Sequence, residues 1–285
     1  MLSSSSFFAG RSLVVATRHG KEAVIGPALE AALGVRVISA PAALDTDALG
    51  TFSGEVPRLL DPLAAAREKC ARALALTGLD LAVASEGSFG PHPVLGFVPA
   101  DEEWLVLVDT RNALEICVRE ISLATNFAAR AVASEVDLRA FAEQVGFPAH
   151  GLILRPAADA PTDLHKGLVT WPTLLTAFQE LRRTHDRVWA ETDMRAHLNP
   201  SRQRVIEAAA RALAQRAATL CPTCATPGFG PTRVVRGLPC GLCGAPTALA
   251  RAHINTCLRC PCEVETLPPG GATTADPGQC GYCNP

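Results

Sequence analysis

The chain has 285 residues, 48% of them hydrophobic and 19% charged, with a formal net charge of −2. This composition excludes a disordered chain, and the charge excludes a basic footprint for nucleic acid spread over the whole molecule. No apolar run approaches the ~20 residues a membrane helix requires, and the opening MLSSSSFFAGR lacks the basic and apolar regions of a signal peptide; a cytoplasmic protein with no membrane partner is expected.

In chain order, the opening reads as a loose polar end. Residues 12–17 (SLVVAT) are a β-branched apolar run that predicts a buried strand. Helical spacing of Ala23, Val24, Pro27, Ala28 and Ala31 follows over residues 21–33, closed by Gly34, and residues 35–39 (VRVIS) predict a second strand. Strand–helix–strand is the unit of a parallel α/β sheet. Residues 40–60, rich in Pro, Gly, Asp and Thr, predict a long loop of the kind that often carries function. Asp61 is the expected N-cap of an Ala-rich helix over 63–77, with Pro62 at its first position and Gly78 at its end. A strand over 79–85 (LDLAVAS) is expected to stop at Glu86-Gly87-Ser88-Phe89-Gly90, read as a turn. Alternation over 103–109 and 114–120 predicts a hairpin closed by Thr110-Arg111-Asn112. Beyond it the pattern predicts a helix over 136–144, a strand over 150–155, an amphipathic helix over 171–190 and an Ala/Arg-rich helix over 201–220, preceded by Pro200. The expected organisation is an α/β domain over residues 1–218 and a Cys-rich domain over 219–285.

Nine of the 11 cysteines lie after residue 220. Cys70 and Cys117 stand alone in apolar context and read as small buried hydrophobes. The others include four C-x-x-C pairs: Cys221/Cys224, Cys240/Cys243, Cys257/Cys260 and Cys280/Cys283. In a reducing compartment such pairs indicate metal rather than disulfides. Two thiolates separated by two residues form one turn, and two turns complete a tetrahedral site. Pro222, Gly241, Gly244, Pro261 and Gly281 let backbone N–H groups approach the sulfurs. Four pairs imply two zinc ions, against iron–sulfur or redox dithiols as the competing chemistries. Sequential, nested and interleaved pairings all fit the spacing. Cys262 and His253 are spare donors, read as bystanders. A closed four-thiolate site has no open position for substrate, so the role expected is structural, with the metal supplying most of the folding energy of the tail.

Four polar segments are candidates for chemistry. Thr17-Arg18-His19-Gly20-Lys21 follows a strand and opens a helix, where exposed N–H groups and the cations Arg18 and Lys21 favour an anion. Glu86, at the expected end of an apolar strand, could hold Mg²⁺ or orient water. The segment ETDMRAHLNPSR concentrates Arg195, His197, Asn199 and Arg202, with Glu191 and Asp193 beside them; Arg forks suit phosphate and His suits acid–base work. The loop TDALGTFSGEVPRLLD brings Glu55, Arg58 and Asp61, with Lys69 on the next helix.

VVATRHGKEAVIGPALEAALG resembles the opening of the inosine/xanthosine triphosphate pyrophosphatases and the related Maf-like proteins, in which a Lys after the first strand meets the triphosphate. LGTFSGEV with Lys69, LDLAVASEGSFG with Glu86, and ETDMRAHLNPSR are similar, in the same order, to later motifs of that group. The resemblance covers roughly residues 12–205. It implies a mixed sheet flanked by helices, here followed by a double zinc-ribbon tail. It also implies a metal-dependent hydrolase of nucleoside triphosphates or related phosphorylated nucleotides. Thr17, Arg18, His19, Lys21, Lys69, Arg195, Asn199 and Arg202 would bind substrate and phosphates, Glu86 would hold Mg²⁺, and His197 would serve as acid or base-contacting group. The whole chain also resembles a bacterial family with an Arg-Ala-His-x-Asn-Pro segment ahead of paired C-x-x-C motifs, a likeness that brings no activity with it. The alternative is a zinc-ribbon module that binds nucleic acid or protein through Arg233, Arg236, Arg251 and Arg259, beside a non-hydrolytic nucleotide-binding domain; a transferase on the same fold is a third reading.

Overall fold

The computed structural model describes residues 5–17, 20–51, 56–268 and 270–285. The chain divides into two compact units, Gly10–Leu213 and a second made of Met1–Ala9 with Ala214–Pro285.

The larger unit is built on a five-stranded mixed sheet of order β2-β1-β3-β4-β5. The apolar strand β1 (Ser12–Val15) runs parallel to β2 (Arg36–Ser39) through helix α2 (Glu22–Leu33), whose end is set by Gly34 at φ 66°. Helix α3 (Pro62–Thr77) is capped by the Asp61 carboxylate, which accepts the Ala64 N–H at 3.0 Å. It lays Ala66, Cys70 and Ala73 on Ala82, Ala84 and Val106 of the sheet, a contact that small residues allow to be close. The chain then enters β3 (Leu81–Pro91), parallel to β1 at Val14↔Ala82 and Val15↔Val83, and antiparallel to β4 (Pro99–Asp109), which pairs with β5 (Leu114–Ser122).

One expectation fails here. Strand β3 does not stop at Ser85. Glu86, Gly87 and Phe89 continue the ladder opposite Trp104, Glu103 and Asp101. Charge and glycine read as turn markers, but here they line a buried polar site, and the backbone stays paired. Strand β4 accordingly begins before Glu103.

A second sheet, of order β6-β9-β7-β8, was not expected. It comprises β6 (Ala129–Val132), β7 (Leu152–Arg155), β8 (His165–Leu168) and β9 (Val188–Thr192), all paired antiparallel. Helices α4 (Glu135–Gln144) and α5 (Trp171–Arg182) bury Leu138, Phe141, Leu174 and Phe178 against Leu152, Leu154, Val188 and Ala190. The amphipathic helix expected to reach residue 190 therefore ends at Arg182. Val188–Thr192 instead satisfies its backbone between β6 and β7, a central position that outweighs its helix-compatible pattern.

Helix α6 (Pro200–Ala218) starts at Pro200 itself and ends within the smaller unit. There, strands β10 (Gly230–Arg236), β11 (Ala250–Thr256) and β12 (Glu263–Thr266) form an antiparallel meander. The N-terminal residues are not a loose end throughout: Ser5–Phe8 form a short helix, α1, with Phe8 fully buried. Among the described residues, no helix is long and apolar enough to cross a membrane.

Candidate functional site

Strand β1 ends at Val15 while β3 beside it, and β4 beyond, run on. Lys21, at the start of α2, fills the space this leaves: it is buried and donates from Nζ to Ser85 Oγ at 2.8 Å. Burial first, and then the neighbouring Arg202 guanidinium, push its pKa down to about 7 against the opposing pull of Glu103. Arg18, His19 and Glu55 lie outside the described residues. Thr17 is described and half-buried, its N–H donating to Val15 O.

Charged groups converge from several elements. Glu86 on β3 accepts from Lys69 of α3 through Oε1 and from Arg58 through Oε2 at 3.0 Å; Arg58 also donates to Gly87 O at 2.8 Å. Burial opposes ionisation of Glu86, but Lys69, Lys21 and Arg58 outweigh it and hold the carboxyl below its usual range. Glu103 on β4 accepts from Arg202 Nε at 2.6 Å, and Arg202 Nη1 donates to Met194 O at 2.6 Å. Asp101, two residues before Glu103, is likewise buried, and burial together with Glu103 raises its pKa to about 8. Sequence reasoning missed Asp101 and Glu103. The signal was their i, i+2 spacing, which puts both on one face of a strand, and it was lost by starting that strand too late.

Beside this cluster lies a groove of about 370 Å³. Phe89 from β3 and Phe127 line it with ring centroids 5.7 Å apart, and Trp189 adds a third aromatic. Its polar groups are Arg58, Arg155, Asp159, Glu191 and Thr192: Arg155 pairs with Glu191, and Trp189 Nε1 donates to Glu191 Oε2 at 3.1 Å. Burial raises the Glu191 pKa despite Arg155.

The segment around residues 191–202 is divided by the fold. Arg202 joins the cluster. Arg195 instead donates from Nε to the buried Asp193 carboxylate at 2.9 Å, which also accepts the Gly167 N–H. Asn199 accepts the Arg202 N–H at 3.0 Å, capping the start of α6, and donates to Asn126 Oδ1 at 2.9 Å. His197 is exposed on the short turn between them. Arg202 and Lys21 are thus brought together with Glu86 and Lys69, while Arg195 pairs with Asp193 and Asn199 ties the start of α6 to Asn126.

In the smaller unit, Cys221, Cys224, Cys257 and Cys260 form one group, and Cys240, Cys243, Cys280 and Cys283 another; within each, the sulfurs lie within 4.8 Å of one another. Each group can hold one metal ion. The pairing is interleaved, and the strands explain why. Antiparallel β10 and β11 pair Gly230 with Thr256, which returns the third C-x-x-C turn beside the first. Strand β12 then carries the chain back, and the fourth turn meets the second, held by Gly241 N–H to Ala275 O and Ala275 N–H to Pro239 O. In the first two turns the residue after the second cysteine, Ala225 or Gly244, is left-handed and returns its N–H to the first cysteine's carbonyl. Sulfur separations between the turns include 3.6 Å for Cys221–Cys260, 3.5 Å for Cys224–Cys257, 3.8 Å for Cys240–Cys283 and 3.6 Å for Cys243–Cys280. Hydrogen bonding from Thr226 draws the Cys224 thiol down to about 6, and the backbone N–H groups of Cys243 and Leu242 draw Cys240 to about 7, while contact with the neighbouring sulfurs and burial push Cys283 up to about 12 and, against the backbone N–H of Cys262, Cys260 to about 12 as well. Cys262 and His253 belong to neither group. Of the arginines among the cysteines, Arg233 pairs with Glu263 and Arg236 donates to Ala248 O.

Comparison with curated proteins finds no match. A family described as a domain of unknown function, DUF6671, matches residues 69–285, a span that includes Lys69, Glu86, Asp101, Glu103, Arg202 and all eight grouped cysteines. From the far side of the charged cluster to the last cysteine turn, the chain belongs to the DUF6671 family.

Proposed function

We propose that the unit Gly10–Leu213 binds a nucleoside triphosphate and hydrolyses it with the help of a divalent cation, and that the smaller unit carries two structural zinc ions. The observation that carries the first reading is the convergence of Lys21, Lys69, Arg58 and Arg202 on Glu86 and Glu103, beside an aromatic-lined groove. Four cations suit a polyphosphate. The faces of Phe89, Phe127 and Trp189 suit a planar base, with the Arg155–Glu191 pair placed to meet its polar edge. The ordered likeness to the inosine/xanthosine triphosphate pyrophosphatases supports the same reading, including its fold.

Within it, Lys21 and Arg202 meet phosphate oxygens, and Lys69 and Arg58 exchange Glu86 for phosphate. Glu86, so released, orients the attacking water. Magnesium, when bound, supplies Lewis-acid polarisation of the phosphoryl group. Arg195 and Asn199 hold the approach to α6 rather than touch substrate. The zinc assignment rests on the donor set and the spacing: four thiolates at the usual Zn–S length of ~2.3 Å, placed tetrahedrally, stand about 3.8 Å apart. Such a closed site is structural.

The test is release of phosphate or pyrophosphate from a panel of standard and modified nucleoside triphosphates, using zinc-loaded protein with Mg²⁺. Glu86→Gln should lower turnover by about 100-fold or more. No release from any nucleotide would remove the hydrolase reading.

A further inference from the structure

We propose that Asp101 and Glu103, on one face of β4, form a binding site for a hard divalent cation of the magnesium/manganese class. The role of that ion in catalysis rests on the hydrolase reading above; its binding does not.

The two residues are at i and i+2 of a strand, opposite Phe89 and Gly87 of β3, so their carboxyl groups share a face. Asp101 is 1% exposed and Glu103 is fully buried. Neither oxygen of Asp101, nor Oε2 of Glu103, meets a hydrogen-bond donor among the described residues. Buried carboxylates in this condition are normally paired, hydrogen-bonded or bound to metal. Arg202 accounts for Glu103 Oε1 alone. Three buried carboxylate oxygens are therefore left without a donor among the described residues.

The surroundings select the ion. Oxygen donors from two carboxyl groups match how magnesium is usually held, through one or two carboxylates, whereas calcium takes six to eight oxygens. The slot is narrow. A Cβ at Gly87 would stand 2.4 Å from Glu103 Oε1 and 2.6 Å from Arg202 Nη2, so the bare backbone of β3 is what gives Glu103 its place. Glu86 is the less ready ligand, because Lys69 holds one of its oxygens and Arg58 the other. Lys21 and Arg202 flank the pair, close enough to Asp101 for both to act on its charge, which is where phosphate oxygens bridging to the ion would need cations.

The measurement is manganese uptake by the full-length, zinc-loaded protein without nucleotide, read as loss of the free Mn²⁺ electron-paramagnetic-resonance signal. One Mn²⁺ per chain is expected, displaced by excess Mg²⁺. Asp101→Asn and Glu103→Gln should each weaken binding by about 10–100-fold, while Glu86→Gln leaves it within about twofold, on the scale of an uninvolved neighbour. Glu103→Gln strips Arg202 of its counter-charge and can unfold the chain. Asp101→Asn removes no described contact and keeps the test decisive, with circular dichroism and zinc content as checks. No uptake by the wild type overturns the site and leaves two carboxyl groups sharing a proton. Undiminished uptake by Asp101→Asn, or loss on Glu86→Gln alone, also overturns it. Uptake without turnover of any nucleotide would keep this site and remove the hydrolase reading; turnover without uptake would do the reverse.

Discussion

At Gly87 the missing side chain is a steric requirement, since Glu103 and Arg202 occupy the space a Cβ would enter. Gly87→Ala should destabilise the protein by about 1–3 kcal/mol, read by urea denaturation, and weaken manganese uptake; a variant unchanged in both would contradict the placement of Glu103. Arg11 offers a second test. Its guanidinium bridges Asp109 at 2.7 Å and Asp80 at 2.8 Å. Burial would raise the Asp109 pKa, but Arg11 and Asn112 lower it overall, and Arg11 lowers Asp80 too. Groups depressed in the folded state contribute stability that is complete above the unfolded pKa of ~3.9 and is lost as pH falls through the lower folded value. Arg11→Gln should therefore cost most near neutral pH, and its gap from wild type should close below about pH 4, as urea midpoints against pH would reveal; a gap that widens in acid would refute this. Lys21 was legible in the sequence because a cation after a short apolar strand has one natural place, the strand's carboxyl end. Asp101 and Glu103 were not, since an acidic run at a strand start looks like solvated charge until its partner strand is known.

Among the elements, those with strong local punctuation were readable: α2 closed by Gly34, α3 opened by Asp61-Pro62, and the hairpin at Thr110-Arg111-Asn112. Elements fixed by distant pairing were not. Strands β6, β8 and β9 are four or five residues long and owe their state to neighbours in a sheet no local pattern announces. The metal groups repeat the lesson: the C-x-x-C turns were legible, but which turns share an ion depended on β10 and β11, whose direction decides the matter. That yields a prediction. Cys224→Ser with Cys257→Ser damages one group only and should leave one zinc per chain by elemental analysis after loading with excess zinc, which outweighs the lost help from the other ion. Cys224→Ser with Cys243→Ser damages both and should leave none. The opposite pattern would mean sequential pairing.

For the molecule as a whole, the two units can be watched separately. Its three tryptophans, Trp104, Trp171 and Trp189, lie in Gly10–Leu213, and its one tyrosine, Tyr282, lies in a cysteine turn. A strong chelator should abolish the order around Tyr282 and leave tryptophan emission native; a coincident red shift would show that the units unfold as one. The meander of β10, β11 and β12 has a further consequence. Each strand is a strut running from one ion to the other, so ligands that are neighbours in space alternate along the chain. Binding at either end fixes strand register, and register is what assembles the ligands at the other end. The second ion would then meet donors already ordered, with less conformational entropy to lose than the first. Metal should load in an all-or-none manner, and native mass spectra of a half-titrated sample should contain chains with two ions and chains with none, with few between.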